Sequence, residues 1–175
     1  MKKIVYFHGY GSNAKTSKVD RIKKFFGDKA TVFAYDIDVD PRIAEFELYP
    51  QIMGMLLDDI NSQDELIFIG TSLGAYWAYS AAHVFGAKCV LLNPSLNPAL
   101  SLHKYGVSDE ICEQYGNYGK EENRYKKCKV YLAENDEVID FTKFSKFLST
   151  SDVTYVKNET HRFHGDAFEM VLSEL

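Results

Sequence analysis

The chain has 175 residues, of which 46% are hydrophobic and 26% charged, and 20 Lys and Arg stand against 25 Asp and Glu for a formal net charge of -5. This length suits one globular domain over residues 1–175, below the roughly 250 to 300 residues at which a single core usually divides. The composition excludes a disordered or collagen-like chain, and the negative balance argues against nucleic acid or an anionic membrane as partner.

The first apolar run, residues 4–7, has the length of a strand and is too short for a signal peptide or a membrane span. It predicts a strand over 3–7, followed by a helix whose buried face carries Val19, Ile22, Phe25 and Phe26. A second strand is expected over 31–35, and a second helix after Pro50 with Ile52, Met55, Leu56 and Ile60 on one face. The third strand, 66–69, leads into a helix over 75–85 that is apolar almost all round and stops at Gly86, as a helix in the middle of a fold does. Strands follow at 88–92, 129–132 and 153–156. A helix behind a cap at Asp140 presents Phe141, Phe144, Phe147 and Leu148, and a last helix presents Ala167, Met170 and Val171.

Most of these strands are continuously apolar, the pattern of strands buried on both faces, and their alternation with helices predicts an α/β fold of about six mostly parallel strands with helices on both faces. Residues 93–127 are the least regular stretch, framing one short helix between Ser108 and Gly116. Leaving a strand at the carboxyl edge of the sheet, this stretch is placed to roof a pocket. Cys89, Cys112 and Cys128 are odd in number and lack CxxC or Cys/His spacing, so the reading is of reduced thiols, a cytoplasmic protein and no metal site.

Gly70-Thr71-Ser72-Leu73-Gly74 lies between the third strand and the buried helix, where a nucleophile elbow belongs. The tight turn holds its serine in a strained conformation, and Gly70 and Gly74 supply the positions where bulk is excluded. Such a serine needs a base, and the base a carboxylate, in the chain order Ser, Asp or Glu, His. Asp136, after the fifth strand, is the preferred acid; Asp140 reads as a helix cap, Glu134 and Glu137 as solvated charges. His161 and His164 both follow the last strand, and spacing alone leaves the choice open. His83 reads as a helix-end residue, His103 as a possible pocket residue and His8 as part of its turn. The first turn, with Gly9, places the Tyr10 N–H opposite that of Leu73 as the two backbone donors of an oxyanion hole.

The same turn imitates two nucleotide motifs. Gly9-x-Gly11-x-x-Ala14, with Asp36 and Asp38 beyond the next strand, resembles a dinucleotide fingerprint, and Ala14-Lys15-Thr16 resembles the end of a P-loop with Ala14 in place of its glycine. A nucleotide-binding protein is thus one alternative. A non-catalytic binding protein that keeps the elbow only as a fold device is another.

Taken with the first turn, the elbow, Asn93-Pro94, the run 136–140 and His161-x-Phe163, the chain resembles the compact α/β-hydrolase esterases of the YqiA and YcfP type, over nearly its whole length. The resemblance implies a compact α/β-hydrolase fold with a minimal lid, and it selects His161 as the base with His164 in reserve. It also implies a serine esterase or thioesterase acting without a cofactor on a small-molecule acyl ester or thioester through Ser72, His161 and Asp136. The oligomeric state is not implied.

Overall fold

The computed structural model describes residues 1–58 and 64–175. All six expected strands form: β1 (Lys2–Phe7), β2 (Ala30–Ala34), β3 (Glu65–Thr71), β4 (Lys88–Leu92), β5 (Cys128–Asn135) and β6 (Asp152–Thr160). They pair in parallel in the order β2-β1-β3-β4-β5-β6. Continuous apolar runs suit these strands because successive residues enter different cores. Ile4 and Tyr6 pack on one face of β1 and Val5 and Phe7 on the other, and Ile67 and Ile69 oppose Phe68 in the same way on β3.

Helices α1 (Ser17–Phe26) and α7 (Gly165–Ser173) cover one face, with Val19, Ile22, Phe168 and Val171 in its core. The larger core on the other face lies under α2 (Pro41–Leu57) and α3 (Leu73–Phe85), and receives Leu102 from α4 (Pro98–Leu102), Cys112 from α5 (Asp109–Cys112) and Phe147 from α6 (Ser145–Leu148). All three cysteines are buried free thiols. Among the described residues, no helix is long and apolar enough to cross a membrane.

Two expectations are corrected. The second helix does not wait for Pro50: it starts at Pro41 behind Asp40, whose Oδ1 accepts the Arg42 N–H at 3.0 Å, and a proline costs little where the helix lacks acceptors anyway. Pro50 sits inside α2, where it has no N–H for the carbonyl of Phe46, itself an exposed residue. Ile60, expected on this helix, lies outside the described residues. Within 93–127, α4 and two 3₁₀ turns add to α5, which is capped by Ser108 as expected but ends at Cys112, ahead of Gly116.

Sheet growth changes direction between β1 and β3, which are neighbours with β2 outside β1. In open parallel sheets such a switch opens a crevice at the carboxyl ends of the strands. The turn after β1, the elbow after β3, Asn93 after β4, Asp136 after β5 and His161 after β6 all lie on that edge.

Candidate active site

Ser72 occupies φ 55° and ψ -118°, a conformation that non-glycine residues rarely adopt and that typically costs about 1–3 kcal/mol. Close packing around the elbow imposes it. A Cβ on Gly70 would lie 2.3 Å from the Gly74 carbonyl oxygen, and one on Gly74 would lie 2.1 Å from the Phe7 carbonyl oxygen. The elbow therefore presses against the end of β1. Gly9 completes the fit, since a Cβ there would meet the Ser72 Cβ at 3.4 Å. The Ser72 N–H donates to the Leu92 carbonyl at 3.0 Å, and its own carbonyl accepts from Ala75 and Ser95. Although Ser72 occupies the cap position of α3, its side chain makes no capping bond.

Asp136 and His161 meet: the imidazole Nδ1 lies 2.8 Å from Asp136 Oδ2, with the aspartate side chain 1% exposed. The other carboxylate oxygen accepts the N–H groups of Val138 and Ile139, each at 2.8 Å. With three donors around it the carboxylate has one orientation, and it directs the imidazole's Nδ1 inward. His161 and Ser72 line a single cleft of about 510 Å³, with Gly9, Tyr10, Glu137 and Tyr105 also on its wall. Tyr10 packs its ring on that of Tyr105 at 5.3 Å between centroids, and Tyr105 is what the 93–127 segment contributes to the cleft.

His164 lies on the cleft wall, but among the described residues no carboxylate bonds its imidazole, so the two histidines left equal by spacing are separated by the bond to Asp136. His8 stays in its turn, its Nδ1 beside the Gly9 carbonyl and its Nε2 accepting the Ile37 N–H at 3.1 Å. His83 bonds the Tyr79 carbonyl, and His103 lies 3.1 Å from Asp109 and off the cleft wall. Asp140 is a cap, accepting from Thr142. Glu137 corrects the reading of a merely solvated charge: its Oε2 accepts the His161 N–H at 3.1 Å, and that bond holds its carboxyl below the usual range.

Asn93 ties the parts together. Fully buried and at φ 44°, it accepts the Ala133 N–H at 2.7 Å, while its amide nitrogen donates to the carbonyls of Thr160 at 3.1 Å and His161 at 3.0 Å. One side chain thus joins the ends of β4, β5 and β6. The nucleotide-like features of the first turn are otherwise engaged: the Ala14 N–H donates to Asp36 at 2.7 Å and the Lys15 N–H to Asn13 at 2.8 Å, so these two amides are not presented to a phosphate. Among the described residues no cluster of three or more His, Cys, Asp or Glu is arranged to hold a metal.

Solved structures share this architecture. Est1E from Butyrivibrio proteoclasticus superimposes with a TM-score of 0.70 at 13% identity, covering 99% of this chain and 84% of that one. The Pyrococcus furiosus esterase Pf2001 gives 0.72 at 17% identity, with coverage of 99% and 78%. The fold is that of an α/β hydrolase. In sequence, a UPF0227 protein from Vibrio cholerae is 27% identical over 172 residues and one from Shewanella woodyi 28%, each alignment covering 91% of this chain and 90% of the relative. The model of the family described as "Uncharacterised protein family (UPF0227)" matches residues 3–171, and the chain belongs to that family, the YqiA and YcfP type.

Proposed function

We propose that the chain is a serine hydrolase that cleaves small acyl esters or thioesters. The observation that carries this reading is the shared cleft: a strained serine whose hydroxyl makes no capping bond lines the same wall as a histidine fixed by a buried aspartate. The names of the structural neighbours Est1E and Pf2001, the latter an esterase, agree with it.

In this mechanism Ser72 Oγ attacks the acyl carbonyl carbon as His161 Nε2 takes the hydroxyl proton. The carbonyl π electrons move to oxygen, and the N–H groups of Tyr10 and Leu73 stabilise that oxyanion from either side of the elbow. Its collapse breaks the bond to the alcohol or thiol, which leaves with the proton from His161. A water activated by the same imidazole then attacks the acyl-enzyme and releases the acid and free Ser72. Asp136 accepts the Nδ1–H throughout and stabilises the imidazolium.

Substituting Ser72→Ala tests this. Turnover of nitrophenyl esters and of acyl thioesters of matched chain length should fall by a factor of order 10⁶ in a protein that still folds, and a fluorophosphonate probe should label the unsubstituted protein at Ser72 alone. Hydrolysis that persists in the folded variant refutes the assignment. Absence of both labelling and turnover between about pH 6 and 9, where an imidazole becomes a neutral base, leaves a binding protein with the elbow as a fold device.

A further inference from the structure

The charge of the cleft is opposite to that of the chain. In a protein of net charge -5, its wall carries Lys18, Arg162 and His164 besides His161, and among the described residues Glu137 is the only carboxylate on it. Among the described residues neither Lys18 nor Arg162 has a carboxylate within 4.0 Å. Lys18 instead donates to the Arg162 carbonyl at 2.6 Å and lies over the Phe168 ring, and Arg21 donates to the Gly165 carbonyl at 2.9 Å. Three carboxylates bond this loop without reaching either cation: Asp136 holds the His161 imidazole, Glu137 accepts the His161 N–H, and Glu159 accepts the His164 N–H at 3.0 Å. The Lys18 and Arg162 cations are therefore gathered beside the nucleophile with no carboxylate paired to them among the described residues.

Neighbouring groups add to this character. The hydroxyl residues Ser12, Thr16 and Ser17 line the same wall, and the last two begin α1, a helix of ten residues whose amino end contributes partial positive charge. Burial above all, then the adjacent Arg21 and Arg162 cations, pushes Lys18 down to about 8, with Glu159 opposing them. A cation held against such a penalty gains most from an incoming anion.

We propose that this cleft selects esters bearing an anionic group, a carboxylate or phosphate on the acyl or the leaving part, and binds that group at Lys18, Arg162 and His164. The inference rests on Ser72 as nucleophile and names the substrate class for that reaction. Hydrogen bonds to ionised partners are strong and directional, and the guanidinium of Arg162 suits the paired oxygens of either anion.

Three substrates test it: para-nitrophenyl butyrate, which is neutral, mono-para-nitrophenyl succinate, with its carboxylate on the acyl part, and the butyrate ester of a nitrophenol that itself carries a carboxylate. The quantity read is the ratio of kcat/KM between the unsubstituted protein and Arg162→Gln or Lys18→Gln. That ratio should be about tenfold larger for at least one charged ester than for the neutral one, and the charged ester alone should weaken with rising salt. Which of the two responds tells where the anion sits. Equal ratios for all three esters overturn the proposal while leaving the hydrolase intact. Should no ester be hydrolysed, calorimetric binding of the same esters to Ser72→Ala, with and without Arg162→Gln, still decides it: preference for a charged ester that vanishes with Arg162 supports it, and equal binding overturns it.

Discussion

The proposed nucleophile and the proposed base are held by different physics. Ser72 owes its position to main-chain sterics, since Gly70 and Gly74 are clamped between β1, β3 and α3 with no room for a side chain, and Gly9 packs closely against Thr71 and Ser72. The loop carrying His161 owes its position to polar bonds: Asp136 on the imidazole, Glu137 on its N–H, Asn93 on two of its carbonyls, and Lys18 and Arg21 on the carbonyls of Arg162 and Gly165. One half should fail by not folding, the other by folding with impaired chemistry.

The largest effect is expected at Gly74. In Gly74→Ala the new methyl meets two main-chain carbonyl oxygens, at 2.1 and 2.5 Å, neither of which can withdraw without breaking the end of β1. The cost should exceed about 4 kcal/mol, seen as loss of cooperative unfolding; a variant that melts normally would show the elbow to be pliable. Asp136→Asn belongs to the other half. It preserves shape but favours the wrong imidazole tautomer, so kcat should drop by about 10⁴ with the melting temperature little changed.

Asn93→Ala crosses the divide. It orphans the Ala133 N–H and two carbonyl acceptors, for an expected loss of about 1–3 kcal/mol of stability, together with a fall in kcat. Asn93→Asp sharpens this, because its buried carboxylate would face the carbonyl oxygens of Thr160 and His161 with no donor for them. Near neutral pH it should be less stable than Asn93→Ala, and denaturant unfolding should show part of that stability regained at low pH, where the protonated acid again has a donor.

Lys18→Met should give the smallest change, and of opposite sign. The folded value near 8 lies below the usual 10.5, so between these pH values the unfolded chain binds more protons and native stability rises with pH. Below about 8 the charged amine is a burden. Removing it should raise the melting temperature by roughly 2–4 °C at neutral pH, a gain that shrinks toward pH 10.5 as the native lysine loses its own proton.

Much of this was readable from the chain because local sequence controls it. The six strands declare themselves as short apolar runs, the elbow by glycines two residues either side of Ser72, and the Asp140 and Ser108 caps by their place before short helices. The start of α2 was legible in principle in Asp40-Pro41, a cap followed by a first-turn proline, but the eye is drawn to Pro50 as a breaker. Asn93 stood out only as part of a family motif, and its tying role escaped because its partners lie 40 to 68 residues away and its value comes from their convergence. Glu137 escaped because its bond is to a main-chain N–H that no side-chain pattern announces.

The proposed base follows β6, an edge strand that comes after the other five in chain order, whereas the elbow that holds the proposed nucleophile is complete once β1, β3 and α3 have met. On the proposed mechanism, a growing polypeptide therefore carries its serine unarmed until β6 docks. A fragment cut short before β6 would have the elbow without the proposed proton acceptor, and would be unable to acylate itself.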